Sequence, residues 1–104
     1  MTADEFRAAA LKIKGVVEAA HTNHPDFRVN GRIFASLGYP ADDWGMVKLT
    51  RDQQRAFMQE SPKMFAPCAG AWGKQGATNV HLASANKRIL SKALRTPAQN
   101  LMNA

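Results

Sequence analysis

Three places in this sequence hold side chains with the chemistry for a reactive or ligating centre. Cys68 is the lone cysteine. It follows Pro67, and no histidine stands near it in sequence, although His81 is a residue that a sheet can carry towards it. A catalytic cysteine needs surroundings that lower its pKa, and nothing written near Cys68 supplies them. An inert, buried thiol is expected. His21-Thr-Asn-His24, with Asp26 close behind, holds three ligand types. On a turn that spacing does not define a zinc site, and no cysteine pair accompanies it. Water-exposed turn histidines are expected, with no metal or cofactor. Lys74 stands among Gly70, Gly73 and Gly76, but the Gly-x4-Gly-Lys-Ser/Thr phosphate loop is absent. The sequence therefore reads as that of a protein that is not an enzyme.

The basic residues carry a different kind of chemistry. Net charge is +6, and its distribution is uneven. Residues 1–50 hold six Lys/Arg against six Asp/Glu, whereas residues 51–104 hold eight against two, and no acid follows Glu60. Such asymmetry favours an anionic partner. Arg28 and Arg32 flank Asn30-Gly31, and Lys74 precedes Gly76. Lys87, Arg88, Lys92 and Arg95 belong to a last helix, where Arg88, Lys92 and Arg95 recur at i, i+4 and i+7. These seven are the candidate nucleic-acid contacts. Lysine and arginine on phosphates give sequence-independent affinity through counterion release, and six such contacts imply a log–log salt slope of roughly −5. A helix suited to reading bases is lacking, so weak backbone binding to DNA is the expected mode. The rival is a protein partner held on an open sheet face or edge. Tyr39, Trp44 and Trp72 are anchor types for such a contact, although each also fits a core position. The oligomeric state is left open.

Positioning these groups falls to a short series of elements. Thr2 and Glu5 form a capping box for a first helix, and Phe6, Ala10, Ile13 and Val17 make its apolar stripe. Gly15 ends it. A strand opens over Val16 to Ala20, followed by a polar turn around Pro25. Phe27–Val29 and Arg32–Leu37 read as strands joined by Asn30-Gly31, a dipeptide suited to the positive φ of a type I′ turn. After a second turn over Gly38–Asp43, Trp44 to Leu49 is a further strand. Thr50 caps a second helix with Gln53 in the box position, and Ser61-Pro62 ends it. Pro67 to Leu82 is rich in glycine and fits no regular helix until Thr78–Leu82 resolves into a strand. Ser84 caps the last helix, which Thr96-Pro97 closes, with a short terminal helix after it. Strands clustered by tight turns imply antiparallel pairing. The expectation is an α+β two-layer sandwich with four or five antiparallel strands and helices on one face, in the order α-β-β-β-α-β(β)-α.

Length and composition agree with a single domain over residues 1–104. Hydrophobic residues make up 45% and charged ones 21%, an ordinary globular balance. No apolar run approaches the roughly 18 residues that span a bilayer. The first residues, with two acids and no basic stretch before an apolar core, do not form a signal peptide. One cysteine cannot form an internal disulfide, so a cytoplasmic location without membrane contact is expected.

Several segments together resemble the MmcQ/YjbR family. They are His24-Pro-Asp-Phe-Arg-Val29, Gly31-Arg-Ile-Phe-Ala-Ser-Leu37 and Val47-Lys-Leu-Thr50. Phe65-Ala-Pro67, Gly70-Ala-Trp-Gly-Lys74 and Gly76-Ala-Thr78 with Val80 and Leu82 complete the pattern. It runs in family order from about Gly15 to Leu94. The resemblance implies a compact α+β fold related to frataxin-like and secretion-chaperone-like sandwiches. It also implies a DNA-binding role in a double-wing arrangement, a role that rests largely on likeness of fold. No catalytic residue comes with it. Two features depart from the family pattern: Ala77 stands where members often have an aromatic residue, and Pro97 interrupts a helix that usually continues.

Overall fold

The computed structural model describes residues 1–21 and 23–103. Helix α1 (Ala3–Leu11) leads into strands β1 (Val17–His21), β2 (His24–Val29), β3 (Arg32–Leu37) and β4 (Trp44–Lys48). Helix α2 (Arg51–Glu60), strand β5 (Phe65–Pro67), helix α3 (Gly70–Gln75) and strand β6 (Ala77–His81) follow. A 3-10 turn at Leu82–Ser84 then delivers the chain to helix α4 (Lys87–Met102). The six strands form one antiparallel sheet in the order β1-β2-β3-β4-β6-β5. The expected α+β sandwich is the fold observed. Its sheet is wider than four or five strands because Val17–His21 and Phe65–Pro67 both pair at its edges.

The first four strands are a meander of local turns. Asn30 and Gly31 take φ of 54° and 76°, the left-handed values that a tight hairpin turn requires. Beyond the turn the register slips. Phe27 opposes Ala35 while Arg28 opposes Ile33, which leaves Phe34 as the extra residue of a bulge. Phe34 is fully buried.

Alternation along the strands divides the sheet into two faces. Phe27, Val29, Ala35, Leu37, Val47 and Val80 point to the helices and are buried. Phe6 and Ala10 of α1, Phe57 of α2, and Leu90, Ala93, Leu94 and Ala98 of α4 cover them. The neighbours of these strand residues point the other way: Asp26, Arg28, Ser36, Trp44, Met46, Lys48, Asn79 and His81. Gln53 and Asn100 tie α2 to α4 by reciprocal amide hydrogen bonds of 3.2 and 2.8 Å.

Three helices differ from the sequence expectation. Helix α1 ends at Leu11, before Gly15, so Val17, expected on its apolar stripe, instead opens β1 and is 59% exposed. Gly70–Gln75, read as irregular, is a helix. Its glycines explain how: a Cβ on Gly73 would lie 1.7 Å from the Cys68 carbonyl oxygen, so α3 folds back directly against the strand that precedes it. Gly76 then ends the helix at φ 119°. At the other end of the chain, α4 begins at Asn86 rather than Ser84, with Asn86 Oδ1 accepting from the Arg88 and Ile89 amides. It also runs through Pro97 without a break to Met102. Burial of Pro97 and Ala98 in the core holds the helix together where proline removes one hydrogen bond.

Candidate nucleic-acid interface

The seven basic residues expected to meet nucleic acid do not come together. Arg28 lies on the sheet face away from the helices. Its Nε donates to Asp26 Oδ1 at 2.8 Å and Nη2 to Asp26 Oδ2 at 3.2 Å, a two-pronged pair with a carboxylate only 2% exposed. The hydrogen bond and then the charge of Asp26 raise the Arg28 pKa above its usual value. This guanidinium neutralises a buried acid of its own strand. On the opposite side of the sheet, Lys87 Nζ is 3.0 Å from Glu5 Oε2. Lys92 Nζ is 4.0 Å from Glu60 Oε1 and lies over the Phe57 ring. Arg32, Lys74, Arg88 and Arg95 are exposed, with no carboxylate within 4.0 Å among the described residues.

The structure instead gathers cations around α3. Arg51 and Arg55 of α2 and Lys74 of α3 line a broad groove of about 900 Å³ together with Gln54, Cys68 and Gly73. Gln54 fixes the groove by donating from Nε2 to the carbonyls of Gly73 and Ala77, both at 3.0 Å. Arg55 carries a loose contact to Asp52 at 3.5 Å, whereas Arg51 and Lys74 have no carboxylate partner among the described residues. Beside the groove, the Lys48 ammonium lies 5.9 Å from the centre of the Trp72 indole. Trp72 is 60% exposed, so it does not take the core position that its type also fits. Tyr39 is likewise on the surface at 67%. Ala77 is buried on β6 opposite Lys48. Arg51 and Arg55, absent from the candidates, were visible in sequence as an i, i+4 pair on the polar side of α2.

The ligating types are also separated. Cys68 Sγ donates to Asn79 Oδ1 at 3.1 Å, and burial pushes the thiol up to about 11. The Cys68 amide pairs with Ala77, four residues from His81 along β6, or roughly 13 Å at strand rise. His81 stacks on Trp44 with ring centres 4.5 Å apart, and its nitrogens approach Ser84 Oγ at 3.1 Å and Asp43 Oδ2 at 3.5 Å. The His21 side chain and Thr22 lie outside the described residues, so the His21/His24 pair has no description here. Among the described residues, no group of three or more His, Cys, Asp or Glu side chains is placed to hold a metal ion.

No family model and no curated protein matches the chain. Among solved structures, Deinococcus radiodurans protein DR2400, described by the domain DUF419, superposes with a TM-score of 0.78. The match covers 97% of this chain and 78% of that one, at 18% identity. The fold is that of a DUF419 domain. At this identity the likeness concerns the fold alone. In this chain the bulged β2–β3 hairpin, β4 and the α3–β6 unit are neighbours in one sheet.

Proposed function

We propose that this protein is a non-enzymatic binder of nucleic-acid backbone, most plainly DNA, in keeping with its resemblance to the MmcQ/YjbR family, for which DUF419 is another label. One observation carries the reading. Seven of the eight carboxylates lie within 4.0 Å of an arginine, lysine or histidine nitrogen. Those pairs occupy five of the fourteen Lys/Arg side chains and leave nine without a carboxylate in reach among the described residues. Net charge sets the long-range attraction, and the pairing decides which cations are free to touch a phosphate. Arg51 and Lys74, with the loosely held Arg55, line one groove, and Lys48 stands beside it next to Trp72.

Four phosphate contacts imply a duplex salt slope of about −3 to −4, shallower than six contacts would give. Fluorescence anisotropy of labelled duplex DNA across a salt series tests this. The expected result is weak binding that declines with that slope and is lost in the Arg51→Glu/Lys74→Glu double variant. An absence of binding at low salt, or binding indifferent to salt, overturns the proposal.

The exposed Trp72 and Tyr39 favour a second reading, an adaptor that holds a protein partner on the sheet face or edge. That reading predicts a partner whose binding survives charge reversal at Arg51 and Lys74.

A further inference from the structure

We propose that Trp72 is a stacking platform for an unpaired nucleobase, and that a single strand lies along the sheet face opposite α1, α2 and α4, from Trp72 towards the Trp44–His81 stack. This deepens the reading of backbone binding and rests on it.

Four observations converge. Trp72 is 60% exposed, on a helix whose backbone is wedged against Cys68 through Gly73, so the indole is carried by a fixed support. The Lys48 ammonium lies over one face of the ring, 5.9 Å from its centre, so a base stacks on the other face. A base stacked on Trp72 would have its phosphate next to a cation. Lys48 and Trp44 point to the same face of β4, four residues apart, or roughly 13 Å at strand rise. That length separates the Trp72 platform from a second aromatic surface, the Trp44–His81 stack. Between them stands Asn79, opposite Met46. Its carbonyl oxygen accepts from Cys68 Sγ, which fixes the direction of the amide. Its Nδ2 has no hydrogen-bond partner among the described residues and is directed away from Cys68, a donor available to a base edge. Aromatic platforms interleaved with cations are the means by which sheets hold single strands without strong sequence preference. A duplex hides its base faces and offers this surface only its phosphates.

The test uses the full chain with labelled oligothymidylate, oligouridylate and duplex DNA of equal length at one low salt concentration. Tighter binding of a single strand than of duplex is expected, and preference between the two single strands names its source. Trp72→Ala should weaken single-strand binding at least fivefold and leave duplex binding within twofold, whereas Trp72→Phe should retain most of it. In a Trp44→Phe background, saturating oligothymidylate should quench the Trp72 emission, a readout that does not depend on the Trp72→Ala variant folding. Unchanged emission, or equal affinity of wild type and Trp72→Ala for both forms, overturns the stacking site while salt-dependent duplex binding still stands. Failure of every nucleic acid to bind overturns both readings.

Discussion

Gly73 shows how tightly α3 is set against its own chain. A side chain at this position meets backbone, not a flexible neighbour that can move aside. Gly73→Ala should therefore cost on the order of 3 kcal/mol or more, as expected when a fully packed site is overfilled. Gly31 also has a positive φ but faces open space. Gly31→Ala should cost about 1 kcal/mol, the strain of a left-handed backbone alone. Urea titration of the two variants separates a clash from a conformational preference. Cys68 gives a pH prediction. Its folded pKa, about 11, lies above the ordinary 9.0 because burial disfavours the thiolate. Above pH 9 the unfolded chain loses a proton that the folded chain keeps, so this contribution to stability is present below pH 9 and lost as pH rises through 11. At pH 8 the folded thiolate fraction is roughly one hundredth of the unfolded one. Alkylation by iodoacetamide at pH 8 should accordingly be far slower in buffer than in urea, and equal rates would refute a shielded thiol.

At the scale of elements, helix starts carry much of the local information. Thr2 with Glu5 and Thr50 with Gln53 both form the reciprocal boxes that their spacing announces. Thr50→Ala should lower stability by about 1 kcal/mol, measured by chemical denaturation. The Asn30-Gly31 hairpin was equally legible, because few residues tolerate the φ that it needs. Helix α3 was not. Six residues with two glycines have no apolar periodicity to read, and what shapes them is the approach of Cys68 from the preceding segment. The exposure of Trp72 is hidden from the sequence for a related reason: a large aromatic side chain is core by default, and only the placement of α3 leaves it outside. The ion pair of Arg28 with Asp26 follows from the period of two along β2, which sets both on one face, whereas nearness to the hairpin tip alone suggests a surface cation. Arg28→Ala should lower the melting temperature by stranding Asp26, and should change duplex affinity little. A loss of affinity as large as that of the Arg51→Glu/Lys74→Glu variant would return Arg28 to the interface.

Across the whole molecule, one sheet separates two kinds of surface. The helical side joins α1, α2 and α4 into the core, and among the described residues no helix is long and apolar enough to cross a membrane. Leu94 is completely buried there. Leu94→Ala should cost about 2–5 kcal/mol, visible as an earlier denaturation midpoint with little change in nucleic-acid affinity. The other side carries Lys48, Asn79, Trp44 and His81 on a frame that the helices stiffen from behind.

That division has a consequence for synthesis. The residues that seal the core, Leu90, Ala93, Leu94 and Ala98, all belong to the last helix. While a ribosome is still making the meander, Phe27, Phe34 and Val47 have only α1 to shelter them. Folding of this chain is thus completed by its final helix, and the nascent sheet stays exposed to chaperones and to its own neighbours until α4 emerges.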